Sequence, residues 1–223
     1  MLEQRPSFSV LFNGGYFVTD VLGTAQTSVP VALGRVGTNY MEREHIAAAL
    51  KDGKAEVSIP AIGKTLKMPV FSIAVPIRDA QGVIVGSLVG VIDLSRPNFL
   101  DNITNSPYGT TGGYLLIDSG TRTIITATDK SRIMEVLVPG FNPLADRFIR
   151  GEEGTGIAVN TKGVEVLASG KNIPAANWHI VVFLPVAEAF APIQDMQRCM
   201  FLATLVLTLL DAAHALAQAP VLA

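Results

Sequence analysis

Two short stretches of this 223-residue chain contain residue types that could support catalysis. In IGKTLK, residues 63–65 have the glycine–lysine–threonine order that ends a phosphate-binding P-loop. Such a loop also needs a glycine five residues before its second glycine, and Ser58 occupies that position. In VGSLVG, Ser87 lacks the G-x-S-x-G spacing of a hydrolase nucleophile. Neither stretch therefore predicts phosphoryl or acyl transfer.

Histidine and cysteine, which bind metals or act as nucleophiles, are few. His45, His179 and His214 do not have the spacing of a zinc site. Cys199 has no evident partner that would activate its thiol, and a single cysteine cannot form an internal disulfide. We therefore expect no bound metal, no cofactor and no enzymatic activity.

The composition indicates a folded chain with a sizeable core. Hydrophobic residues make up 49% of the sequence and charged residues 16%, which argues against disorder. The formal net charge of -2 gives no electrostatic reason to expect nucleic acid as a partner. The opening residues MLEQRPSFSV contain no apolar run long enough for a secretory signal peptide. Taken literally, the chain would begin in the cytoplasm.

One phrase occurs twice in the chain. GGYFVTD at residues 14–20 returns as GGYLLID at residues 112–118, which is 98 residues later. In each copy, strand-forming residues are followed by a turn rich in Asp and Gly and then by a second strand. Since repeats indicate repeated structure, the chain is expected to contain two related modules.

The sequence of each module predicts the same order of helices and strands. In the first, a hairpin is followed by a helix over residues 40–51, which Asn39 caps and Gly53 ends. A weak strand over 54–59 and two strong apolar strands, PVFSIAVPIRD and GVIVGSLVGVIDL, complete it. Near-continuous apolar strands indicate a sheet that is buried against helices on at least one face.

The second module repeats this order after a turn-rich linker over residues 95–111. Its hairpin is followed by a helix that Asn142 caps and that has Pro143 at its first position. The strands GTGIAVN, GVEVLASG and WHIVVFLP follow. A sheet of about five antiparallel strands with inserted helices is a PAS-like α+β arrangement. We therefore expect two tandem modules of this class, followed by a C-terminal helix.

The segments YGTTGGYLLID, TATDKSRIM and NWHIVVFLPVAEAFAPI resemble the double Cache sensor domains of bacterial transmembrane receptors. The resemblance is closest to the sensor half of membrane diguanylate cyclases, and related histidine kinases and chemoreceptors carry similar domains. It implies a membrane-distal module at residues 1–97, a membrane-proximal module at 98–190, and a signalling helix with a degenerate transmembrane segment at 191–223. It also implies a periplasmic sensor attached to the inner membrane, with its output domain absent from this chain.

The family also has a first transmembrane helix and a long helix that covers an apolar face of both modules. Neither is present in this sequence. The apolar face is therefore expected to be exposed or covered by another chain, for example in a homodimer. We expect the chain to be a truncated or frameshifted fragment of a longer receptor.

The amino-acid-binding members of this family suggest where a ligand would bind. YMEREHIAAA resembles their motif, in which Tyr40, Arg43 and Ala49 match. His45 stands where Trp is expected, and Ile46 stands where Tyr is expected. Asp93 in GVIDL matches the acidic residue that would hold a ligand amine, and Phe71 is a further candidate for the pocket wall. A guanidinium binds a carboxylate through two parallel hydrogen bonds, and a buried aspartate pairs with an ammonium group.

Each of these residues also has a structural interpretation. Arg43 could be an ordinary surface charge, Asp93 could cap the turn DLSRP, His45 could be a partly buried structural residue, and Phe71 could pack in the core. In the second module, Tyr114, Asp118 and Thr126 are interpreted as structural residues of the hairpin. With the aromatic pair of the motif lost, a small carboxylate or amino-acid-like solute is the expected ligand.

The C-terminal segment starts as a membrane helix does. Residues 199–210 are 12 apolar or small residues, whereas a span needs about 20. Extending the segment to Ala223 places Asp211 near its midpoint, and a central aspartate opposes insertion. The segment before it, residues 187–198, reads as an amphipathic signalling helix. The alternative to a membrane receptor is a stand-alone solute-binding protein that acts through partner chains.

Overall fold

The computed structural model describes residue 8 and residues 11–218, with side chains through residue 213. Most of the opening segment MLEQRPSFSV and the side chain of His214 therefore lie outside the described part. Two antiparallel sheets of six and five strands, with helices against them, confirm the expected α+β class and its PAS-like modules. The boundaries at residues 97 and 190 stay predictions.

The first sheet forms from the first copy of the repeat and the two apolar strands. Its strands are β1 (Tyr16–Thr19), β2 (Ala25–Val29), β3 (Glu56–Val57), β4 (Ala61–Ile62), β5 (Pro69–Arg78) and β6 (Ile84–Asp93). Their order is β2-β1-β6-β5-β3, and β4 also pairs with β5. The long β5–β6 hairpin thus lies in the middle of the sheet, where both of its apolar faces can be buried.

The helix of the first module is shorter than the sequence predicted. Helix α1 covers Glu44–Lys51, and its N-cap residue is Arg43, whose backbone is extended. The side chain of Asn39 accepts a hydrogen bond from the backbone N–H of Met41 at 2.9 Å, which closes a local turn. Because Asn39 caps this turn instead of the helix, Tyr40 and Arg43 lie before the first helical residue, and the predicted helix start at residue 40 was wrong.

The second sheet follows helix α2 (Asp101–Thr104) and has its strands in the order β8-β7-β11-β10-β9. These strands are β7 (Gly113–Asp118), β8 (Thr123–Ala127), β9 (Gly154–Val159), β10 (Glu165–Ile173) and β11 (Trp178–Pro185). Helix α3 (Pro143–Ile149) begins as predicted, because Asn142 accepts hydrogen bonds from the backbone N–H groups of Leu144 and Ala145 at 3.0 and 3.1 Å.

The repeated phrase has the same structural role in both sheets. Asp20 ends the first copy and accepts hydrogen bonds from the backbone of Leu22 and Thr24, both at 2.9 Å. Asp118 ends the second copy and accepts one from the backbone of Thr121 at 2.7 Å. Each aspartate therefore closes the hairpin turn, in agreement with the structural interpretation of Asp118.

The two modules share a hydrophobic cluster. The ring of Phe71 on β5 lies edge-on to Trp178 on β11, with ring centroids 5.1 Å apart. Ile92 and Leu94 from the first module and Leu116 and Ile125 from the second pack in the same cluster. Each module also has a core of its own on the other face of its sheet.

The chain continues from β11 into two consecutive helices. Helix α4 covers Val186–Ala189, and helix α5 covers Ala191–Gln218. Within α5, the 23 residues Ala191–Ala213 are long and apolar enough to cross a membrane, and the protein buries none of the apolar window. The helix continues through Asp211 without a break.

Candidate functional site

A cavity of about 240 Å³ lies between the first sheet and the segment that leads into α1. We call it the first cavity. Strands β5 and β6 supply one wall through Val70, Ser72 and Val91. Among the residues predicted from the sequence, Tyr40, Arg43 and His45 line it.

The most unusual group in the first cavity is Arg35, a residue that the sequence did not single out. A 3-10 turn over Val31–Leu33 ends at Gly34 in the left-handed region, and this reversal directs the next residue inward. The Arg35 side chain is 2% exposed, and its Cζ lies 5.4 Å from the centre of the Phe17 ring. Burial away from solvent lowers the pKa of the Arg35 guanidinium below its ordinary value.

The hydrogen bonding of Arg35 is incomplete. Its Nη2 donates to the backbone carbonyl of Gly14 at 2.6 Å. Its Nη1 is buried and has no hydrogen-bond partner among the residues that the structure describes. A buried guanidinium that lacks a partner is costly, so this nitrogen indicates a place for an acceptor that enters the cavity.

Tyr40 presents a second free polar group in the first cavity. Its ring packs against Phe17 with centroids 4.8 Å apart, and Lys64 Nζ lies 5.5 Å from the ring centre. The Tyr40 hydroxyl is buried and also has no partner within the described part of the chain. Because Arg35 and Tyr40 both line the first cavity, its lining contains an N–H and an O–H donor that no described residue uses.

His45 lies in the wall of the first cavity as a neutral imidazole. It is the second residue of α1, and its Nε2 is 2.7 Å from Ser72 Oγ on β5. Burial, and secondarily the charge of Arg43, lowers the pKa of His45 to about 4. At neutral pH the imidazole is therefore uncharged. It forms a hydrogen bond with the Ser72 hydroxyl and adds no positive charge to the site.

Arg43 lies at the mouth of the first cavity. Its Nη2 donates weakly to the carbonyl of Ile62 at 3.4 Å, and its Nε is 3.9 Å from Glu42. Lys64 also reaches Glu42, at 2.9 Å, and donates to the backbone of Asn39 at 2.7 Å. Arg43 is thus a partly exposed cation that a ligand could recruit, whereas Arg35 is the buried one.

The structure does not bring Phe71 and Asp93 into the lining of this cavity. Phe71 is on the opposite face of β5 from Val70 and Ser72, so it points toward Trp178. Asp93 accepts hydrogen bonds from the backbone and hydroxyl of Ser95 at 2.9 and 2.5 Å. Arg96 lies 3.4 Å away. Both placements agree with the structural interpretations of these residues.

The described residues show no group of three or more His, Cys, Asp or Glu side chains that could hold a metal ion. Cys199 is exposed on α5 as a free thiol. In the second module, Thr126 Oγ1 accepts a hydrogen bond from Lys130 at 3.0 Å, and the Tyr114 ring packs near Tyr108.

Known proteins resemble the chain in fold. The family model described as Cache domain matches residues 5–193. The ligand-binding domain of the Pseudomonas fluorescens chemoreceptor CtaA, in complex with L-alanine, superposes with a TM-score of 0.64 at 20% identity, covering 85% of this chain and 79% of that one. The sensor domain of the Vibrio cholerae histidine kinase DctB superposes with a TM-score of 0.61 at 16% identity, covering 82% of this chain and 76% of that one.

An extracellular ligand-binding receptor from Desulfohalobium retbaense also matches, with a TM-score of 0.59 and 15% identity over 76% of this chain. The chain spans only 29% of that receptor structure. No curated protein sequence matches the chain. At these identities the structural likeness supports the fold alone.

The family match covers most of the chain and agrees with the paired sheets, so it also accounts for the repeated hairpin. In chemoreceptors and histidine kinases, domains of this kind are sensors rather than catalysts. The chain belongs to the Cache domain family and is a double Cache extracytoplasmic sensor domain.

Proposed function

We propose that the first cavity of this sensor domain binds a small carboxylate or amino-acid-like solute. The observation that carries the proposal is the buried Arg35 in the lining of the cavity, whose Nη1, like the hydroxyl of Tyr40, has no partner in the part of the chain that the structure describes. A carboxylate would accept from both groups and would neutralise the buried guanidinium. Charge-assisted hydrogen bonds of this kind are roughly twice as strong as neutral ones.

The size of the first cavity fits this class of ligand. A volume of about 240 Å³ is below the range of about 300–1,000 Å³ that is typical of sites for drug-sized molecules. Glu44 and Glu56 also line the cavity and could accept hydrogen bonds from the ammonium group of an amino acid. The chemoreceptor domain CtaA, whose fold this chain resembles and which was crystallised with L-alanine and with L-serine, supports an amino-acid-like solute.

The route to an output follows from the order of the elements. Strand β11 continues directly into α4 and α5, so a shift of the second sheet would move α5. We propose that α5 attaches the sensor to the bacterial inner membrane and that the sensor belongs to a signal-transduction receptor. A homodimer, and an output like that of the membrane diguanylate cyclases, are further parts of this proposal.

A thermal-shift panel tests the ligand class. The full chain would be purified in lipid nanodiscs and screened with propionate, succinate and L-alanine, and then the screen would be repeated on Arg35→Gln and Arg147→Gln. Arg147 is an exposed arginine outside the first cavity, so it is the matched control. We expect stabilisation of the parent and of Arg147→Gln, and none of Arg35→Gln. Equal stabilisation of both variants would reject the site, and no stabilisation of the parent by any carboxylate would reject the ligand class.

A further inference from the structure

We propose that the second module contains a separate binding site for an uncharged, largely apolar small molecule. The site is a cavity of about 680 Å³ between the second sheet and helix α3, which we call the second cavity. Its volume is within the range of about 300–1,000 Å³ that is typical of small-molecule sites. The proposal does not depend on the ligand of the first cavity.

The walls of the second cavity are built by alternation along the strands. Val166 and Ala168 on β10 and Val181 on β11 present apolar side chains on the same face of the sheet. Leu144 and Phe148, the buried residues of α3, form the opposite wall. Such a wall offers a guest hydrophobic contact and very few hydrogen bonds, so it selects molecules with apolar surface.

The charged side chains that line the second cavity are already neutralised. Arg122 forms an ion pair with Asp146 and donates to the carbonyl of Leu137 at 2.7 Å. The other four charged residues of the lining form two further ion pairs. Arg132 pairs with Glu135 at 2.7 and 2.9 Å, and Lys162 pairs with Asp129 at 3.4 Å.

A charged guest that entered the apolar wall would lose its hydration without gaining a partner there, and this is unfavourable. The first cavity differs in this respect, because Arg35 Nη1 there has no hydrogen-bond partner among the described residues. The two modules therefore carry cavities of opposite character, and a neutral molecule is the class that fits the second.

The mouth of the second cavity is also apolar. Val136, Val138 and Phe141 line the cavity, yet each is more than half exposed. They belong to the segment between β8 and α3, which runs over the opening. A guest that filled the cavity would cover part of these side chains, and burial of exposed apolar surface favours binding.

The test uses two fluorescent probes that differ in one sulfonate group. N-phenylnaphthylamine is neutral, and anilinonaphthalene sulfonate is the same ring system with an added anion. Each would be titrated into the full chain in lipid nanodiscs, and the lipid signal would be measured with empty nanodiscs. We expect one saturable site for the neutral probe and at least tenfold weaker binding of the sulfonate. Propionate and L-alanine should not displace the neutral probe.

Two variants of neighbouring residues on β9 locate the site. Ala158 lines the second cavity, whereas Ile157 points to the other face of the sheet and is exposed. Ala158→Phe should lower the affinity for the neutral probe at least tenfold, and Ile157→Phe should leave it unchanged. Equal affinity in the two variants, the absence of saturable binding, or a preference for the sulfonate would each overturn the proposal.

A third variant covers the case in which Ala158→Phe does not fold. Val166→Thr keeps the shape of the wall and adds one buried hydroxyl. It should therefore lower the affinity for the neutral probe on the order of tenfold. The fluorescence of Trp178, the single tryptophan, reports whether each variant is folded. A folded Val166→Thr with parental affinity would also overturn the proposal.

Discussion

Arg35 Nη2 donates a 2.6 Å hydrogen bond to the backbone carbonyl of Gly14, the first residue of the repeated GGY phrase. The repeat thus holds the guanidinium that defines the first cavity. Gly15 leaves room for it, because a Cβ on Gly15 would lie 3.0 Å from Arg35 Nη1. The second copy of the phrase has no comparable arginine among its described contacts, and its cavity is apolar.

Removing the Tyr40 hydroxyl should have opposite effects on stability and binding. Tyr40→Phe deletes a buried O–H that has no partner among the described residues, so we expect the unliganded protein to gain about 1 kcal/mol. The variant also loses one donor to the carboxylate, and its affinity should fall about fivefold to tenfold. Urea unfolding and calorimetric titration measure the two effects. A variant that is both less stable and unchanged in affinity would contradict this role of Tyr40.

The buried His45 should make the protein less stable in mild acid. Burial lowers its pKa to about 4 in the folded protein from the ordinary value of 6.5, which the unfolded chain keeps, so between these values the unfolded chain binds the extra proton. The free energy of unfolding should therefore be highest above pH 6.5 and should decrease as the pH drops toward 4. From pH 7 to pH 5 the loss should be about 2 kcal/mol.

The control for this prediction is His45→Gln, which keeps a polar group near Ser72 but does not titrate. Unfolding of both proteins should be measured at pH 7 and at pH 5. The difference between the parent and the variant isolates the histidine from other titrating groups. If the two proteins lose the same free energy, burial of His45 does not govern the acid response.

Phe71 should contribute to stability and contact between the modules rather than to binding. Phe71→Leu removes part of a ring that packs edge-on to Trp178, and we expect a loss of about 1–2 kcal/mol and a change in Trp178 fluorescence. Affinity for a first-cavity ligand should stay within about threefold of the parent, since the side chain lies outside that cavity. A large loss of affinity with little loss of stability would restore Phe71 to the binding site.

Glu188 should hold α4 against the start of the second module. Its carboxylate accepts hydrogen bonds from the backbone N–H groups of Thr110 at 2.5 Å and Thr111 at 2.9 Å. The hydroxyl of Thr111, first, and then these backbone groups lower the pKa of Glu188. In Glu188→Gln, amide hydrogen exchange at both threonines should be faster, whereas Glu165→Gln on β10 should leave it unchanged. Unchanged exchange in Glu188→Gln would show that this contact does not order the segment.

The sequence predicted the strands and the second helix well because their signals are local. Alternating and continuous apolar runs defined β5, β6 and the last three strands, and Asn142 with Pro143 marked the start of α3. The start of α1 was wrong because Asn39 can cap either a helix or a turn, and both use the same side-chain oxygen. Only the surrounding backbone decides between them.

The candidate site was predicted less completely. Tyr40, Arg43 and His45 were found through a family motif, and all three line the first cavity. Arg35 carries no local signal, because its burial depends on the carbonyl of Gly14, which is 21 residues earlier in the chain. Asp93 was chosen through its match to the acidic residue of the family, and Phe71 as a candidate for the pocket wall. The face of β5 and the turn with Ser95 determine where these side chains point.

Calorimetric titration with a matched pair of ligands tests the central claim most directly. The tightest carboxylate from the thermal-shift panel would be compared with its primary amide, which has nearly the same shape and no charge. If Arg35 binds the carboxylate in the first cavity, the amide should bind the parent on the order of a hundredfold more weakly. Arg35→Gln should bind the two ligands with similar, weak affinity. Equal affinity of the parent for the acid and the amide would contradict the account.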